Sequence, residues 1–413
     1  MMRVAGRSDS GLAKAIQTDE DGNLTVKQVG KNAEVLDVIV DWTKIDTVKP
    51  TAIFSKNGFI YVGKENGEII KYDENGIEQW AYLNNTKTVT CLFVDDSNHV
   101  YVGLNSRSIM KLDSNGLELW ATPLTGYHSS DQGVASVYQK GEYVYFGPRY
   151  VTTDVHVIKV DKNTGEIVYF IPIGEVGSWE INAIAVDDSE NIYVGTRLNY
   201  VSKLSQTGII TGLVNTNGTT VTWVSGAKFV TDGSWTGKTI YIGGDRYTIA
   251  SVTNDSSLVI TSSAGVKNNV IFAQGALTKV WTCVAHGARV AQFKLGVGNI
   301  FYTSSWDNKV RKWDQTGKTG TWGSGAFVWS FDKHTNYVVG IDVDRQGNVY
   351  SVSLDNTVRK IDGNDGSERF NFTGHSDDVV GLTNYEHFIY TISNDKTIRK
   401  ITNEQQFVGY RGI

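Results

Sequence analysis

The chain has little of several things on which other protein classes depend. Its 413 residues include two cysteines, four prolines and three methionines. Two cysteines cannot build a secreted disulfide scaffold or a structural zinc site. No run of 18 apolar residues is present, which argues against a membrane-spanning helix. The 3.6-residue apolar periodicity of helices is also nearly absent, which argues against a helical fold.

The sequence also lacks the motifs of common catalytic sites. It contains no Gly-x-Ser-x-Gly, no His-Glu-x-x-His, no phosphate-binding loop and no Cys-x-x-Cys. Its seven histidines show no metal-ligand spacing. The net charge of −5 and the lack of a basic cluster argue against nucleic-acid binding. We therefore predict no enzyme activity, catalytic residue, metal or cofactor, although 44 acidic residues leave a glycosidase carboxylate pair open.

What the sequence does contain is a repeat in which a Tyr in one β-like run is followed by a Lys in the next. The seven pairs are Tyr61/Lys71, Tyr101/Lys111, Tyr145/Lys159, Tyr193/Lys203, Tyr302/Lys312, Tyr350/Lys360 and Tyr390/Lys400. Successive Tyr residues lie 40 to 48 positions apart, except for one interval of 109. Short β runs at this period are typical of propeller blades, which must stack to bury their faces.

Each repeat is predicted to form four short strands. Turn clusters of Asn, Asp, Ser and Gly separate runs of alternating apolar and polar residues. We therefore predict an all-β fold, a seven-bladed β-propeller with an inserted small β module and an N-terminal docking arm. The repeated Tyr is expected to pack between blades, while the Lys buries its stem and its ammonium reaches water or a carbonyl.

The repeats resemble two known propeller families. Segments 71–80 (KYDENGIEQW) and 111–120 (KLDSNGLELW) are similar to quinoprotein-like repeats, in which a Gly-x-x-x-Trp docks one blade on the next. Segment 305–314 (SWDNKVRKWD) and the last repeat resemble WD repeats. That resemblance implies hydrogen bonds within a blade among His375, Ser393 and Asp395. The Trp of the WD pattern is replaced by Ile401, which leaves this network open.

The long interval predicts an insertion. Removal of residues 214–275 restores the ordinary spacing, and the removed stretch is β-rich, with turns that predict a meander. Segment 235–252, from WTGKTIYIGG to YTIASV, is similar to a small module that recurs in bacteriophage virion proteins, notably tail and baseplate components. The alternative is a generic β insertion without functional meaning.

The first 35 residues do not fit the repeat. They resemble the N-terminal stretch of phage structural proteins, have no apolar signal-peptide region, and contain few large apolar side chains. We expect such an arm to become ordered on a partner in the virion. Segment 19–22 (DEDG) is predicted to be a hairpin turn and not a calcium loop.

These features predict four regions along the chain. Residues 1–35 form the virion-docking arm, 36–213 the closing strand and blades 1 to 4, 214–275 the inserted module, and 276–413 the end of blade 4 and blades 5 to 7. Residues 36–42 and 406–410 both resemble an outer strand. We predict that 36–42 completes the last blade by pairing with 398–400, because closure from both chain ends removes exposed strand edges.

One face of such a propeller carries the loops from fourth to first strands and from second to third strands. Aromatic and hydrogen-bonding side chains together suit sugar rings, although the same residues could pack between loops or against another subunit. Glu180 belongs to this face as well. The candidate ligand-binding residues there are Tyr127, His128, Asp131, Arg149, Tyr150, Trp179, Arg197, Tyr200, Trp306 and Asp307.

The resemblance implies a non-enzymatic structural component of a bacteriophage particle, on its tail or baseplate, in several copies. Its expected partners are other virion proteins, through residues 1–35 and the inserted module, and a host-surface glycan. The expected localisation is the virion, with no nucleic-acid or membrane partner. The alternatives are an intracellular scaffold for protein–protein interaction and, third, a propeller-type glycan-degrading enzyme.

Overall fold

The computed structural model describes residues 4–405 except 8–12, 19–23, 30–35, 84–86, 107, 125–132, 150–155, 173–179, 244, 276 and 324. For residues up to 39 and for 156, 170–172 and 403–405 it describes the backbone alone. All regular elements within these residues are β-strands. The first four strands are β1 Val4–Arg7, β2 Ala13–Thr18, β3 Leu24–Val29 and β4 Leu36–Ile45.

Seven antiparallel sheets form the blades of a seven-bladed propeller, as the sequence predicts. Blade 1 consists of β5 Pro50–Lys56, β6 Phe59–Lys64, β7 Glu68–Asp73 and β8 Glu78–Leu83. Blade 2 consists of β9 Val89–Val94, β10 Val100–Leu104, β11 Ser108–Leu112 and β12 Glu118–Pro123. Blade 3 consists of β13 Val134–Lys140, β14 Tyr143–Pro148, β15 His156–Asp161 and β16 Ile167–Pro172.

The chain leaves blade 4 before its fourth strand and returns to it after an inserted barrel. This blade begins with β17 Ile181–Val186, β18 Ile192–Thr196 and β19 Tyr200–Ser205. The barrel contains β20 Ile210–Asn217, β21 Thr220–Gly226, β22 Thr239–Ile242, β23 Asp245–Asn254, β24 Ser257–Ile260 and β25 Val266–Gln274. Strand β26 Thr278–Val284 then completes blade 4 beside β19.

The last three blades follow in order. Blade 5 has β27 Val290–Leu295, β28 Ile300–Ser305, β29 Val310–Asp314 and β31 Trp329–Phe331. Its strand β30 Gly320–Gly323 crosses to blade 4 and pairs in parallel with β26. Blade 6 has β32 Val338–Val343, β33 Val349–Ser353, β34 Val358–Ile361 and β35 Glu368–Phe372. Blade 7 has β36 Val379–Tyr385, β37 Phe388–Ser393 and β38 Thr397–Gln405, with β4 as its fourth strand.

The Tyr and Lys of the repeat are structural. In all seven blades the two residues lie directly opposite each other on the second and third strands. Tyr101 is fully buried, and the Lys111 ammonium lies 5.3 Å from the centre of its ring. The same ammonium donates to the carbonyl of Lys162 in the next blade, at 2.8 Å. The predicted packing of this pair between blades is therefore confirmed.

A fourth-strand Trp docks each of several blades on the next one. Trp80 Nε1 donates to the Ser114 carbonyl at 3.0 Å, and Lys71 Nζ donates to that same carbonyl at 3.1 Å. The indole lies over Gly116, whose φ of +84° and missing Cβ allow this close approach. Trp120 and Gly165 repeat the arrangement between blades 2 and 3. The Gly and Trp docking that the quinoprotein-like resemblance implies is thus present.

Substitution Gly116→Ala is expected to destabilise the protein by about 3 kcal/mol, because left-handed backbone strain and overpacking each cost roughly 1 to 3 kcal/mol. A Cβ at residue 116 would lie 2.7 Å from the Trp80 ring. Gly317→Ala is the matched control, since residue 317 has a φ of +66° and nothing within 4 Å of a Cβ. Chemical denaturation should show a clearly smaller loss for the control. Equal losses would mean that the indole contact contributes nothing.

The WD-like hydrogen-bond network occurs in all three last blades, with one correction. His375 pairs with Asp395 at 3.0 Å as expected, but its Nε2 contacts Thr391 Oγ1 at 2.8 Å and not Ser393. Ser393 lies two positions after Thr391, at the end of β37, where its Oγ accepts a hydrogen bond from the Asp395 backbone N–H. The register of β37 places Thr391, two positions earlier on the same strand face, beneath the imidazole.

Blade 5 contains the complete form of this network. His286 contacts both carboxylate oxygens of Asp307 at 3.0 Å and Thr303 Oγ1 at 2.7 Å. Trp313 Nε1 donates to the same hydroxyl at 2.9 Å. In blade 7 the missing Trp leaves the His–Asp–Thr part intact, so Ile401 does not abolish the network.

The ring closes with one strand from each end of the chain, as predicted. Strand β4 pairs antiparallel with β38, with Trp42 opposite Lys400 and Thr43 opposite Arg399. Trp42 Nε1 also donates to the Glu74 carbonyl of blade 1 at 3.0 Å. The N-terminal segment therefore both completes blade 7 and docks it on blade 1.

The expectation that the arm takes its order from a virion partner alone is wrong for its backbone. Strands β1, β2 and β3 form an antiparallel meander that continues the blade 7 sheet outward from β4. Alternation in 13–18 and 24–29 supports strand pairing despite few large apolar side chains. The predicted hairpin turn at 19–22 lies outside the described residues, between strands that pair Thr18 with Leu24.

The inserted module is a closed barrel. It contains the predicted meander, since β22 pairs with β23 and β23 pairs with β24, each antiparallel. Its strand order is β20-β21-β24-β23-β22-β25, and it begins at Ile210, four residues before the predicted boundary at 214. Closure pairs the two ends of the insertion, β20 with β25, which leaves no open sheet edge. The core contains Phe229, Trp235 and Phe272.

The barrel also packs against the propeller. Tyr241 and Ala273 of the barrel share a buried cluster with Val168 and Tyr169 of blade 3. Deletion of 210–274 with a short Gly-Ser bridge is expected to leave a cooperatively folding propeller that is less stable by a few kcal/mol, because exposing a buried apolar side chain costs about 1.5 to 3 kcal/mol. A calorimetric melt checks this. Loss of the cooperative transition would show that blade 3 requires the barrel.

Candidate functional site

The seven innermost strands enclose a central channel with a cavity of about 420 Å³. A second cavity of about 300 Å³ lies at one end of this channel. It is lined by loop residues that precede first strands, such as Glu180 and Arg289, and by residues that follow second strands, such as Arg149 and Trp306. We call this end the upper face, and it is the face that the sequence singles out. The barrel leaves from the opposite type of connection, between third and fourth strands.

Side chains that donate hydrogen bonds to backbone carbonyls of the next blade hold the rim of the channel in place. Thr51 Oγ1 donates to the Val89 carbonyl of the next blade at 2.6 Å. Asn182 Nδ2 donates to the Val290 carbonyl at 3.1 Å, and so ties blade 4 to blade 5. The side chains of the mouth therefore stand on a fixed ring of inner strands.

A buried carboxylate organises the charged groups of the mouth. Glu180 is 2% exposed, and its Oε1 lies 2.8 Å from Nη2 of Arg289 and 3.7 Å from Nε of Arg149. Arg289 Nη2 also donates to Asn182 Oδ1 at 2.5 Å. Burial lowers the pKa of Arg289, Glu180 raises it, and the positive charges of Arg149 and Arg197 lower it again. The site therefore holds three guanidinium groups around one carboxylate.

An aromatic pair adjoins this charged group. The Trp306 and Tyr337 rings are parallel within 5°, with centroids 4.6 Å apart. The guanidinium carbon of Arg289 lies 4.7 Å from the Trp306 centroid. Trp306 and Tyr337 therefore form an aromatic stack, and the Arg289 guanidinium packs on the indole of that stack. Tyr337 is the most exposed of the three side chains, at 39%.

The candidate ligand-binding residues that the structure describes fall into two groups. Arg149 and Trp306 line the mouth cavity, and Arg197 acts electrostatically on the same cluster. Asp307 instead holds His286 in the blade 5 network, and Tyr200 packs against the core shared by blades 3 and 4. The candidates outside the described residues are Tyr127, His128, Asp131, Tyr150 and Trp179.

Sequence reasoning missed Arg289 and Tyr337, which both contact Trp306. Both precede a first strand, in the 285–289 and 332–337 connections. The rule that assigns fourth-to-first connections to the upper face covers these loops, so it could have identified both residues. The contact between Trp306 and Tyr337 could not be inferred, because it joins loops of blades 5 and 6 that are 31 positions apart in sequence.

Two absences hold for the described part of the chain. No helix there is long and apolar enough to cross a membrane. No group of three or more His, Cys, Asp or Glu side chains within the same residues is arranged to hold a metal ion.

Comparisons with known proteins add information on the fold. No protein family and no curated protein matches the sequence. Among solved structures, the chain is similar to the computationally designed Ika8 protein, with 16% sequence identity and a TM-score of 0.53. The match covers 87% of this chain and 98% of that protein. At this identity the likeness supports the fold alone.

Proposed function

We propose that this chain is a non-enzymatic structural component of a bacteriophage particle, on its tail or baseplate, and that its upper face attaches to a host-surface glycan. The observation that carries the recognition role is the open mouth at the channel end. Arginine side chains and a partly exposed aromatic stack meet there on a rigid rim. Apolar ring faces beside hydrogen-bond donors are the features that sugar recognition uses.

The position of the other elements supports this division of roles. The barrel leaves from the connection type on the opposite end of the blades, and β1 to β3 extend blade 7 outward from the ring. None of the described residues that line the mouth comes from the barrel or from β1 to β3. The segment 235–252, on which the phage resemblance depends, spans β22 and most of β23 of the barrel. We propose that the barrel and the arm contact other virion proteins while the upper face remains accessible.

The binding part of the proposal is tested with the full chain and host cells. Purified wild-type protein should sediment with cells, and Tyr337→Ala should reduce the bound fraction at least tenfold, because removal of the outer ring exposes no buried polar group but removes the platform. Trp223→Ala is the matched control, because Trp223 is an aromatic residue on the barrel and not on the upper face. The Lys228 ammonium lies 3.5 Å from the centre of its ring. Equal binding by wild type and Tyr337→Ala would contradict the assignment of the upper face.

The virion part is tested separately. Purified particles of the source phage should contain the chain in several copies, measured by quantitative mass spectrometry. Its absence from particles would favour the scaffold alternative. Release of reducing sugar ends from host polysaccharide by the purified protein would favour the third alternative, a glycan-degrading enzyme.

A further inference from the structure

Among the described residues, the mouth of the channel carries more positive than negative charge. Arg149, Arg197 and Arg289 supply three positive charges, and Glu180 supplies one negative charge, which leaves a surplus of two. Glu180 is the single acidic residue in the described lining of the mouth cavity. Asp307 directly follows Trp306 in sequence, but its carboxylate already contacts His286 and accepts a hydrogen bond from the Gly287 N–H. The cluster therefore attracts an anion.

Inside this charged cluster, the hydrogen-bonding capacity of one buried donor is unused among the described residues. Arg289 Nε is buried and has no hydrogen-bond partner among the described residues, while its Nη2 makes two short contacts. A buried donor without a partner is costly, and a charged donor more so. Like-charge repulsion from Arg149 and Arg197 adds to that cost. A bound anion would lower the electrostatic free energy of the site, whereas a neutral hydroxyl would leave the charge surplus unchanged.

The geometry of the groups favours an oxyanion. Guanidinium groups present planar forks of N–H donors that match carboxylate and phosphate oxygens. The half-exposed Arg149 and the exposed Arg197 stand at the solvent side, while Arg289 lies deeper. Beside them, Trp306 lines the cavity, and the more exposed Tyr337 stacks on Trp306. A sugar ring that carries an anionic group can contact the aromatic stack and the arginines at the same time.

We propose that the mouth of the channel binds an acidic saccharide, with its oxyanion held by Arg149, Arg197 and Arg289 and its ring against the Trp306–Tyr337 stack. This inference rests on the proposed recognition role of the upper face and names the substrate class. The oxyanion is a sugar carboxylate or a phosphodiester of a sugar-phosphate polymer. The two sources share the chemistry that the guanidinium groups recognise.

The experiment uses the full chain and three immobilised polymers: a glucuronate-containing polysaccharide, a glycerol-phosphate polymer and neutral dextran. Retention of wild-type protein is expected on at least one acidic polymer and not on dextran, and it should decrease as salt rises from 50 to 500 mM, since exposed charge pairs are screened. The acidic polymer that retains the protein identifies the source of the anion.

Matched variants locate the binding. The double variant Arg149→Gln with Arg197→Gln should lose at least tenfold in affinity. Arg345→Gln removes the same kind of charge at the β32–β33 turn, on the opposite end of the blades, and should bind like wild type. Melting temperatures close to wild type would show that each variant is folded, and Arg149→Lys with Arg197→Lys, which keeps the charge, should recover part of the affinity.

Three outcomes overturn the inference. Retention on dextran equal to that on the acidic polymers would show a neutral ligand. Equal affinity of the wild type and the double Gln variant would place the anion elsewhere. Absence of retention on all three polymers would reject an acidic saccharide. Sedimentation with host cells separates these failures from failure of the proposed function: cell binding without acidic-polymer binding contradicts the ligand class alone.

Discussion

Deletion of residues 1–45 is expected to abolish the cooperative unfolding transition, whereas deletion of 1–30 is expected to preserve it. The longer deletion removes β4, which pairs with β38 along its whole length. It also removes Trp42, whose indole packs over Gly76 of blade 1. Loss of this partly buried aromatic anchor costs at most about 3 to 5 kcal/mol, and the open ring exposes the edge of β38.

A buried charge adds to the expected loss. Asp41 lies 3.3 Å from the ammonium of Lys400, and Thr402 donates to Asp41 at 2.5 Å. The Lys400 side chain is 8% exposed in the closed ring, so the deletion removes both the carboxylate that compensates this ammonium and the strand that covers it. Together with the lost pairing of β4 and β38, these losses are comparable with the total stability of a typical domain, about 5 to 15 kcal/mol.

Calorimetry and size-exclusion chromatography of both truncated proteins measure this difference. The shorter deletion keeps β4 and removes the meander of β1 to β3, so it serves as the control. A cooperative transition in the protein that lacks 1–45 would show that the ring closes without its N-terminal strand. Loss of the transition in the protein that lacks 1–30 would show that the meander is required for the propeller.

The second large effect is a loss of stability on acidification. Three imidazoles are buried beside carboxylates: His286 with Asp307, His334 with Asp355 and His375 with Asp395. Burial lowers the pKa of all three histidines, and the hydrogen bond to each aspartate opposes this only in part. Each ring is therefore neutral in the folded state at pH values where the unfolded chain already binds a proton.

The direction of this pH effect follows from the number of protons that the folded and the unfolded states bind. Stability from a neutral buried histidine is fully present above the unfolded pKa of about 6.5 and is lost as the pH falls through it. The aspartates act in the same direction at lower pH. Burial raises the pKa of Asp307, but hydrogen bonds and charges from His286 and its neighbours outweigh that and lower it to about 2. Its contribution is present above about pH 4 and is lost as the pH falls towards 2.

We expect the free energy of unfolding to fall continuously from pH 7 to pH 5. At full effect each histidine contributes a slope of about 1.4 kcal/mol per pH unit, so three contribute up to about 4 kcal/mol per pH unit. Urea denaturation at half-unit pH intervals measures the slope. His375→Gln should lower the stability at pH 7 and reduce the slope by about a third. A flat profile in wild type, or an unchanged slope in the variant, contradicts the buried neutral state.

Parts of the functional site could be predicted from the sequence because loops inherit their position from the repeat. Once Tyr101 and Lys111 fix the second and third strands of a blade, each connection is assigned to one end of the propeller. That rule put Arg149 and Trp306 on the upper face, where both line the mouth. It also included Asp307, which turns back to bind His286, because a loop assignment does not specify where a side chain points.

The amino-acid sequence was sufficient to predict the blade number, the strand count of most blades, the packing of the repeated Tyr between blades and the closing role of 36–42. Each of these depends on a period or an alternation, and both are local properties that sequence displays directly. Segment 214–275 was recognisable as an insertion for the same reason, since it breaks the period.

Tertiary structure alone decided the rest. Closure of the insertion into a barrel depends on the pairing of β20 with β25. This pairing brings Ile210 opposite Gln274, which is 64 positions away in sequence. Strand β30 pairs with blade 4 because its loop reaches past its own blade, to the outer strand that carries Trp281. The meeting of Glu180, Arg289 and Trp306 joins two blades across the inserted barrel. Such contacts depend on how blades stack around the ring, a long-range arrangement that no local period encodes.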